Sequence, residues 1–149
     1  NSLVLFHRIE HGKKLYDKLR QESNKVVYYV DGGTDKDIRE EYKKKMEAGE
    51  EVVIVASYGT FSTGISIKKI HNIFFTESFK SEVIIRQSIG RGLRQHESKD
   101  EVVIVDFVDD LSSNEWFNYL MRHARERQRI YKEQKFTYTV KKVQFEGDI

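Results

Sequence analysis

No cysteine and no proline occur anywhere in the 149 residues. The first absence excludes disulfides and thiolate metal sites and leaves the redox compartment open. No apolar run approaches the roughly 20 residues of a membrane span, and no secretory leader pattern opens the chain, so a cytoplasmic protein without a membrane partner is expected. A phosphate-binding loop of the form Gly-x-x-x-x-Gly-Lys-Ser/Thr is missing too. The one Gly-Lys pair, Gly12-Lys13, has His7 where the first glycine belongs and Lys14 where the hydroxyl belongs. His7 and His11 stand four apart, as two metal ligands on a helix would, but no third ligand lies nearby and no metal site is expected. Repeats and low-complexity linkers are also absent, and 149 residues suit one domain with a normal core. Asn1-Ser2 runs straight into an apolar strand, as expected of a piece of a longer chain.

Net charge is only +2, but it is unevenly spread. From Arg122 to Lys142 eight basic residues (Arg122, Arg125, Arg127, Arg129, Lys132, Lys135, Lys141 and Lys142) face two acids, Glu126 and Glu133. That stretch carries +6, which leaves the remainder near −4. Such a strip suits the tracking of nucleic-acid phosphates, with Arg125, Arg129 and Lys132 as candidate contacts; a solvated helix face is the alternative reading.

Apolar runs of strand length recur: Leu3–Phe6, Val26–Val30, Val52–Ala56, Ile73–Phe75 and Val102–Val105. They are continuous rather than alternating, as strands buried on both faces of a parallel sheet are. Between them lie helical stripes. Leu15, Tyr16 and Leu19 form one. Ile38, Tyr42 and Met46 form another, with Thr34 and Asp37 as its expected capping box and Gly49 as its stop. A third has Ile85, Ile89 and Leu93 behind Ser81. The pattern predicts an α/β fold with a mostly parallel twisted sheet and helices on both faces. After Asp110 a long helix is expected, capped by Ser113, with Phe117, Leu120, Met121 and Ala124 on one side. Phe136, Tyr138 and Val140 then alternate as a strand would. Trp116 and Phe117 read as core contacts, and Tyr131, Phe136 and Tyr138 as rings for bases or for packing. Residues 1–110 are read as the lobe and 111–149 as a basic extension packed on it.

Ligands of open α/β sheets collect beyond the carboxyl ends of the strands. Those ends read His7-Arg8, Asp31-Gly32-Gly33-Thr34, Ser57-Tyr58-Gly59-Thr60 and Thr76-Glu77-Ser78, rich in the hydroxyls and open turns that suit phosphate. The sharpest pattern follows. Gln87, Arg91 and Arg94 fall at i, i+4 and i+7, hence on one helix face, with Gly90 between them. One amide and two fixed-charge forks on one face suit the terminal group of a triphosphate, where arginine stabilises charge that develops in phosphoryl transfer. Val102–Asp106 imitates the acidic strand end that holds magnesium, but without a phosphate loop it reads as the last strand of the sheet.

Gln87-Ser88-Ile89-Gly90-Arg91-Gly92-Leu93-Arg94 resembles motif VI of superfamily 2 helicases, Gln-x-x-Gly-Arg-x-x-Arg. Ser57 to Ser66 resembles motif V, Leu3 to Arg8 motif IV, and Asp31-Gly32-Gly33 with Arg39 the segment between them. Order and separations are similar to those of the second RecA-like lobe over residues 1–110. Within the superfamily the likeness is closer to the branched-DNA helicases, on Gly59 to Ser66, Gln87 to Arg94 and the basic tail.

This resemblance implies an ATP-dependent motor. Gln87 and Arg91 would face the γ-phosphate, Arg94 would be the arginine finger, and Gly64, Ser66 and Gly90 would lie beside the nucleotide. Arg8, Gly32, Gly33, Arg39, Ser57 and Thr60 would meet backbone phosphates. Magnesium would be held by an N-terminal lobe of the same protein, which is itself an implied partner. The other implied partner is duplex or branched DNA, with RNA hybrids as a further candidate. A phage origin would place the protein in a bacterial host cell. Ser66 stands where motif V commonly carries an acid, and the Ser57-to-Gly64 spacing is one residue long. The rival readings are an RNA helicase or restriction translocase, and a nucleic-acid-binding module without ATPase function.

Overall fold

A computed structural model describes residues 1–64, 69–78, 86, 101–112 and 118–144, with the backbone alone at 62–64. Its described elements are β1 (Ser2–Phe6), α1 (Ile9–Glu22), β2 (Val26–Val30), α2 (Lys36–Glu47), β3 (Val52–Ser57), α3 (Tyr58–Gly64), β4 (Asn72–Phe75), β5 (Val103–Asp106) and α4 (Tyr119–Glu133). The strands pair in parallel in the order β2-β3-β1-β4-β5. Each of the five expected apolar runs is a strand. Of the three flanked on both sides, β1 and β3 are buried along almost their whole length and β4 alternates between half-buried and buried, while the edge strands are half open.

Alternation of side chains splits these strands between two cores. Leu3, Leu5, Ile54, Ala56, Ile73 and Phe75 point to one face, where Met46 of α2, Tyr58 and Phe61 of α3, and Ile130 and Tyr131 of α4 cover them. Val4, Phe6, Val27, Val53 and Val55 point to the other, covered by Leu15, Tyr16 and Leu19 of α1. Helices therefore lie on both faces, as the periodicity predicts. Contact between α1 and the sheet is close enough that a Cβ on Gly12 would stand 2.6 Å from the ring of the fully buried Phe6. Glycine is required there by space. At Gly49, which ends α2, it is required by a φ of +96°.

Four local expectations need correction. The cap of α2 is Asp35, whose side chain accepts from the Asp37 amide at 2.9 Å, because the Thr34 hydroxyl is held by Asp31 instead. Residues 58–64, expected as a loop, form the short helix α3, because Tyr58 and Phe61 one turn apart both reach the core. The helix after Asp110 is capped by Asn118, which accepts from the Met121 amide at 2.8 Å; Ser113, Trp116 and Phe117 lie outside the described residues. The expected strand from Phe136 to Val140 does not form. Instead α4 ends in a turn with Lys135 left-handed at φ 57° and the Phe136 amide donating to the Tyr131 carbonyl at 2.9 Å. That turn folds Phe136 back onto the core, Tyr138 packs edge-on against Tyr131, and residues 136–144 pair with no strand among the described residues.

The strand end at Asp106 belongs to the fold, as the absence of a phosphate loop predicts. Arg127 of α4, fully buried, grips Asp106 through Nε–Oδ2 and Nη2–Oδ1 contacts of 2.8 Å each, and the Tyr131 hydroxyl donates to Oδ2 at 2.9 Å. Nη1 of Arg127 reaches the Ser78 hydroxyl at 3.5 Å. Burial disfavours the guanidinium charge, but Asp106 outweighs it, and the Arg127 pKa lies above its ordinary value. Arg127 thus leaves the basic strip and joins the core; its pair with Asp106 and the Asn118 contact to the Asp109 carbonyl fasten the extension to the lobe.

Candidate functional site

A parallel sheet brings all its carboxyl ends to one edge, and here the chain turns from the β2–β3 side of β1 to the β4–β5 side, the kind of crossing beside which ligands bind in open α/β sheets. Four loops meet there.

Beyond β2, Asp31 organises the diglycine turn. Its Oδ1 accepts from the Gly33 amide at 2.9 Å and the Thr34 hydroxyl at 3.3 Å, while its own amide donates to Thr34 Oγ1 at 2.9 Å. The Tyr29 hydroxyl donates to Oδ2 at 3.1 Å; burial, then Asp31, pushes the phenol up to about 12. Arg39 is turned inward, donating from Nε to the Thr34 carbonyl at 2.8 Å and from Nη2 to the Gly32 carbonyl at 3.4 Å. It staples the turn shut. Gly32 and Gly33 are exposed, neither has a positive φ, and a Cβ on Gly32 would meet nothing within 4 Å. No contact among the described residues demands glycine at position 32. Its amide has no partner among the described residues, so a ligand atom has both a donor and room to approach.

Beyond β3, Ser57 caps α3: its hydroxyl accepts from the Thr60 amide at 3.4 Å and donates to Thr60 Oγ1 at 2.8 Å. Thr60 is 5% exposed and faces inward, so of the two hydroxyls Ser57, partly exposed, is the one within a ligand's reach. Gly64 is the last residue of α3.

Beyond β1 and β4, sequence reasoning missed the residue that joins the two loops. The Glu77 carboxylate accepts from the His7 amide and from the Arg8 amide at 2.8 Å through Oε2, and from Arg8 Nε at 2.7 Å through Oε1. His11 Nδ1 stands 3.2 Å from Oε1, close enough for electrostatic attraction though not aligned as a hydrogen bond. Burial pushes the Glu77 carboxyl up; the Arg8 side chain and the Arg8 and His7 amides outweigh it and hold the pKa below the ordinary range. Arg8 is the N-cap residue of α1 and supplies no cap from its own side chain, so Glu77 caps this helix from 69 residues away. The neighbouring Thr76 hydroxyl donates to the Leu5 carbonyl at 2.7 Å, so this strand end is engaged within the protein rather than open to phosphate. Only the partnership across 69 residues reveals Glu77, and no local pattern carries it.

On α4, Arg125, Arg129 and Lys132 are exposed, and Arg129 is paired with Glu126 at 3.3 Å and with Glu133. Glu133 also holds Arg86, the residue before Gln87, at 2.9 Å. Gln87, Gly90, Arg91, Arg94 and Ser66 lie outside the described residues. No group of three or more His, Asp or Glu poised for a metal ion occurs among the described residues, and no described helix is long and apolar enough to cross a membrane.

Residues 1–96 match the helicase conserved C-terminal domain family. The chain is 39% identical to the ATP-dependent DNA helicase UvsW of Enterobacteria phage T4, over 96% of this chain and 30% of that protein. It is 34% identical to the putative ATP-dependent helicase IRC3 of Saccharomyces cerevisiae, over 61% of this chain and 13% of that one. The crystal structure of T4 UvsW superposes with a TM-score of 0.76 at 40% identity, over 96% of this chain and 31% of that chain. The C-terminal domain of the DEAD-box protein Dbp5 superposes with a TM-score of 0.66 at 18% identity, over 90% and 69% of the two chains, a likeness of fold alone. The chain therefore has the fold of a RecA-like helicase C-terminal lobe and spans less than a third of the length of the two relatives matched in sequence.

Proposed function

The chain belongs to the helicase conserved C-terminal domain family, and we propose that it is the second ATPase lobe of a DNA helicase that remodels branched DNA in recombination, repair and replication. One observation carries the reading. An exposed arginine fork at Arg8, an open amide at Gly32 and the capped hydroxyl at Ser57 follow neighbouring strands at one sheet edge, within the family match. Arg8 and Gly32 offer free donors to a backbone phosphate, Ser57 becomes one by turning its hydroxyl away from Thr60 Oγ1, and none reads a base, as expected of a motor that tracks DNA without regard to sequence. Arg39 and Thr60 serve this edge by holding the turns in shape. On α4, the exposed Arg125, Arg129 and Lys132 extend the phosphate-binding surface, Arg129 by exchanging its glutamates for phosphate.

The donor set also fits a nucleotide. Gln87, Arg91 and Arg94 supply one amide and two planar forks to a terminal phosphate, with Gly64, Ser66 and Gly90 beside the nucleotide. ATP, when bound, supplies the phosphoryl group whose transfer to water drives the motor. Magnesium belongs to the N-terminal lobe in this reading, because the described carboxylates at the sheet edge are engaged: Asp31 by its turn, Glu77 by Arg8, and Asp106 by Arg127 and Tyr131. In the two-lobe protein, Arg94→Ala is expected to cut hydrolysis by about 10³-fold with a much smaller loss of ATP binding. Arg94→Lys should rescue poorly, because a point charge does not replace a planar fork. Near-normal hydrolysis by Arg94→Ala would refute the assignment.

A further inference from the structure

We propose that Glu77 is a positioning residue that holds the Arg8 fork ready for a nucleic-acid phosphate; the inference deepens the nucleic-acid part of the function proposed above and rests on it. An arginine that meets phosphate would ordinarily gain nothing from a carboxylate beside it. The geometry here gives the carboxylate another use. Glu77 is 8% exposed, and its two oxygens are fixed by the His7 and Arg8 amides and by Arg8 Nε, with His11 alongside. Arg8 is 77% exposed, and its Nη1 and Nη2 have no partner among the described residues. The guanidinium is planar, so anchoring Nε fixes the direction in which the two Nη groups point. A free surface arginine loses rotamer freedom when it binds; this one has already lost most of it.

Glu77 also ties two loops of the site together. It follows β4 and holds the turn after β1, and its carbonyl lies 3.5 Å from the hydroxyl of Tyr58, the first residue of α3. The Arg8 amide that other loops would offer to an anion is already taken by Glu77, so what this loop presents outward is the fork.

The two effects of Glu77 on binding have opposite signs, which makes the proposal testable. As a charge, Glu77 repels phosphate, and Glu77→Gln should tighten binding. As a brace for Arg8, it aids binding, and Glu77→Gln should weaken it by roughly 2- to 10-fold, the cost of ordering one long side chain. The experiment measures the affinity of the 149-residue chain for one labelled DNA duplex at several salt concentrations, for wild type, Glu77→Gln, Arg8→Ala and the double variant. The expected result is weakening by Glu77→Gln in the wild-type background and none in the Arg8→Ala background. Unchanged or tighter binding by Glu77→Gln overturns the proposal, as does equal weakening in both backgrounds, which would place the effect in the fold. If Arg8→Ala alone leaves affinity and salt dependence unchanged, the nucleic-acid assignment of Arg8 falls and this inference with it. Arg8→Lys gives an independent check that does not disturb Glu77. Lysine keeps the charge but has a single nitrogen to divide between Glu77 and phosphate, so binding should fall close to the Arg8→Ala level; near-wild-type affinity overturns the proposal.

Discussion

Arg127→Met should be among the most destabilising single changes in the extension. Arg127 is fully buried, and both fork contacts to Asp106 are 2.8 Å. Methionine fills much of the same volume but leaves the Asp106 carboxylate with the Tyr131 hydroxyl as its remaining described donor. Removing one partner of a buried ion pair costs about 3–5 kcal/mol, and the 15% exposure of Asp106 places this pair near the lower end, about 3 kcal/mol. For a chain of this length that corresponds to a fall in Tm of about 10 °C. Asp106→Asn should cost a similar amount, because it takes the opposite charge away from a fully buried guanidinium. Combining the two removes both charges and keeps an acceptor for Tyr131, so the double variant should be no worse than either single one, a coupling of about 3 kcal/mol. Urea denaturation followed by far-UV circular dichroism measures all four proteins, with an unchanged m-value as the check on two-state behaviour. Arg127→Met within about 0.5 kcal/mol of wild type, the range of an ordinary surface change, would refute the reasoning and return Arg127 to the solvated strip.

Three further outcomes are expected. Gly12→Ala should destabilise by about 1–3 kcal/mol in the same denaturation assay, because its Cβ would overlap the immobile Phe6 ring. Replacing Arg125, Arg129 and Lys132 together by Gln should lower the slope of log affinity against log salt by between about one and two units, since each lost phosphate contact removes roughly 0.7 to 0.9 and Arg129 is partly engaged by Glu126 and Glu133; a wild-type slope in the folded variant makes this face merely solvated. Glu77 has its folded pKa held below the ordinary 4.5, so its contribution to stability is fully present above 4.5 and is lost as pH falls below it. The stability gap between wild type and Glu77→Gln should therefore close on acidification through that range, and a gap constant from neutral pH to well below 4.5 would contradict the assigned contacts.

The elements legible in the sequence are those whose signal is local and repeated. Continuous runs such as Val52–Ala56 report burial on both sides, and the stripe of Ile38, Tyr42 and Met46 reports a helix, although only Tyr42 and Met46 pack on the core and Ile38 stays exposed. The strand ends that form the candidate site were legible for the same reason, since a parallel sheet leaves only one edge for them. The features that stayed hidden depend on partners far away in the chain. Thr34 looks like a cap until Asp31 takes its hydroxyl, and Asp35 then does the work. Arg127 looks like one charge among eight, yet it lies between Ala124 and Tyr131, one turn from each, on the face that is buried. Extending the apolar stripe past Ala124 and asking which acid could meet a buried guanidinium would have pointed to Asp106. Phe136, Tyr138 and Val140 alternate as a strand does, but alternation alone supplies no neighbouring strand. Glu77 acts across 69 residues, and a carboxylate at a strand end carries no local mark of the amides it will cap.

The central claim is that this lobe holds half of an ATP site, and steady-state ATP hydrolysis tests it most directly. The 149-residue chain, purified free of contaminating ATPase, is compared with the proposed two-lobe protein, each with and without DNA. The account predicts negligible turnover by the chain alone under both conditions and DNA-stimulated turnover by the two-lobe protein. Turnover by the chain alone at a rate comparable to the two-lobe protein would contradict it.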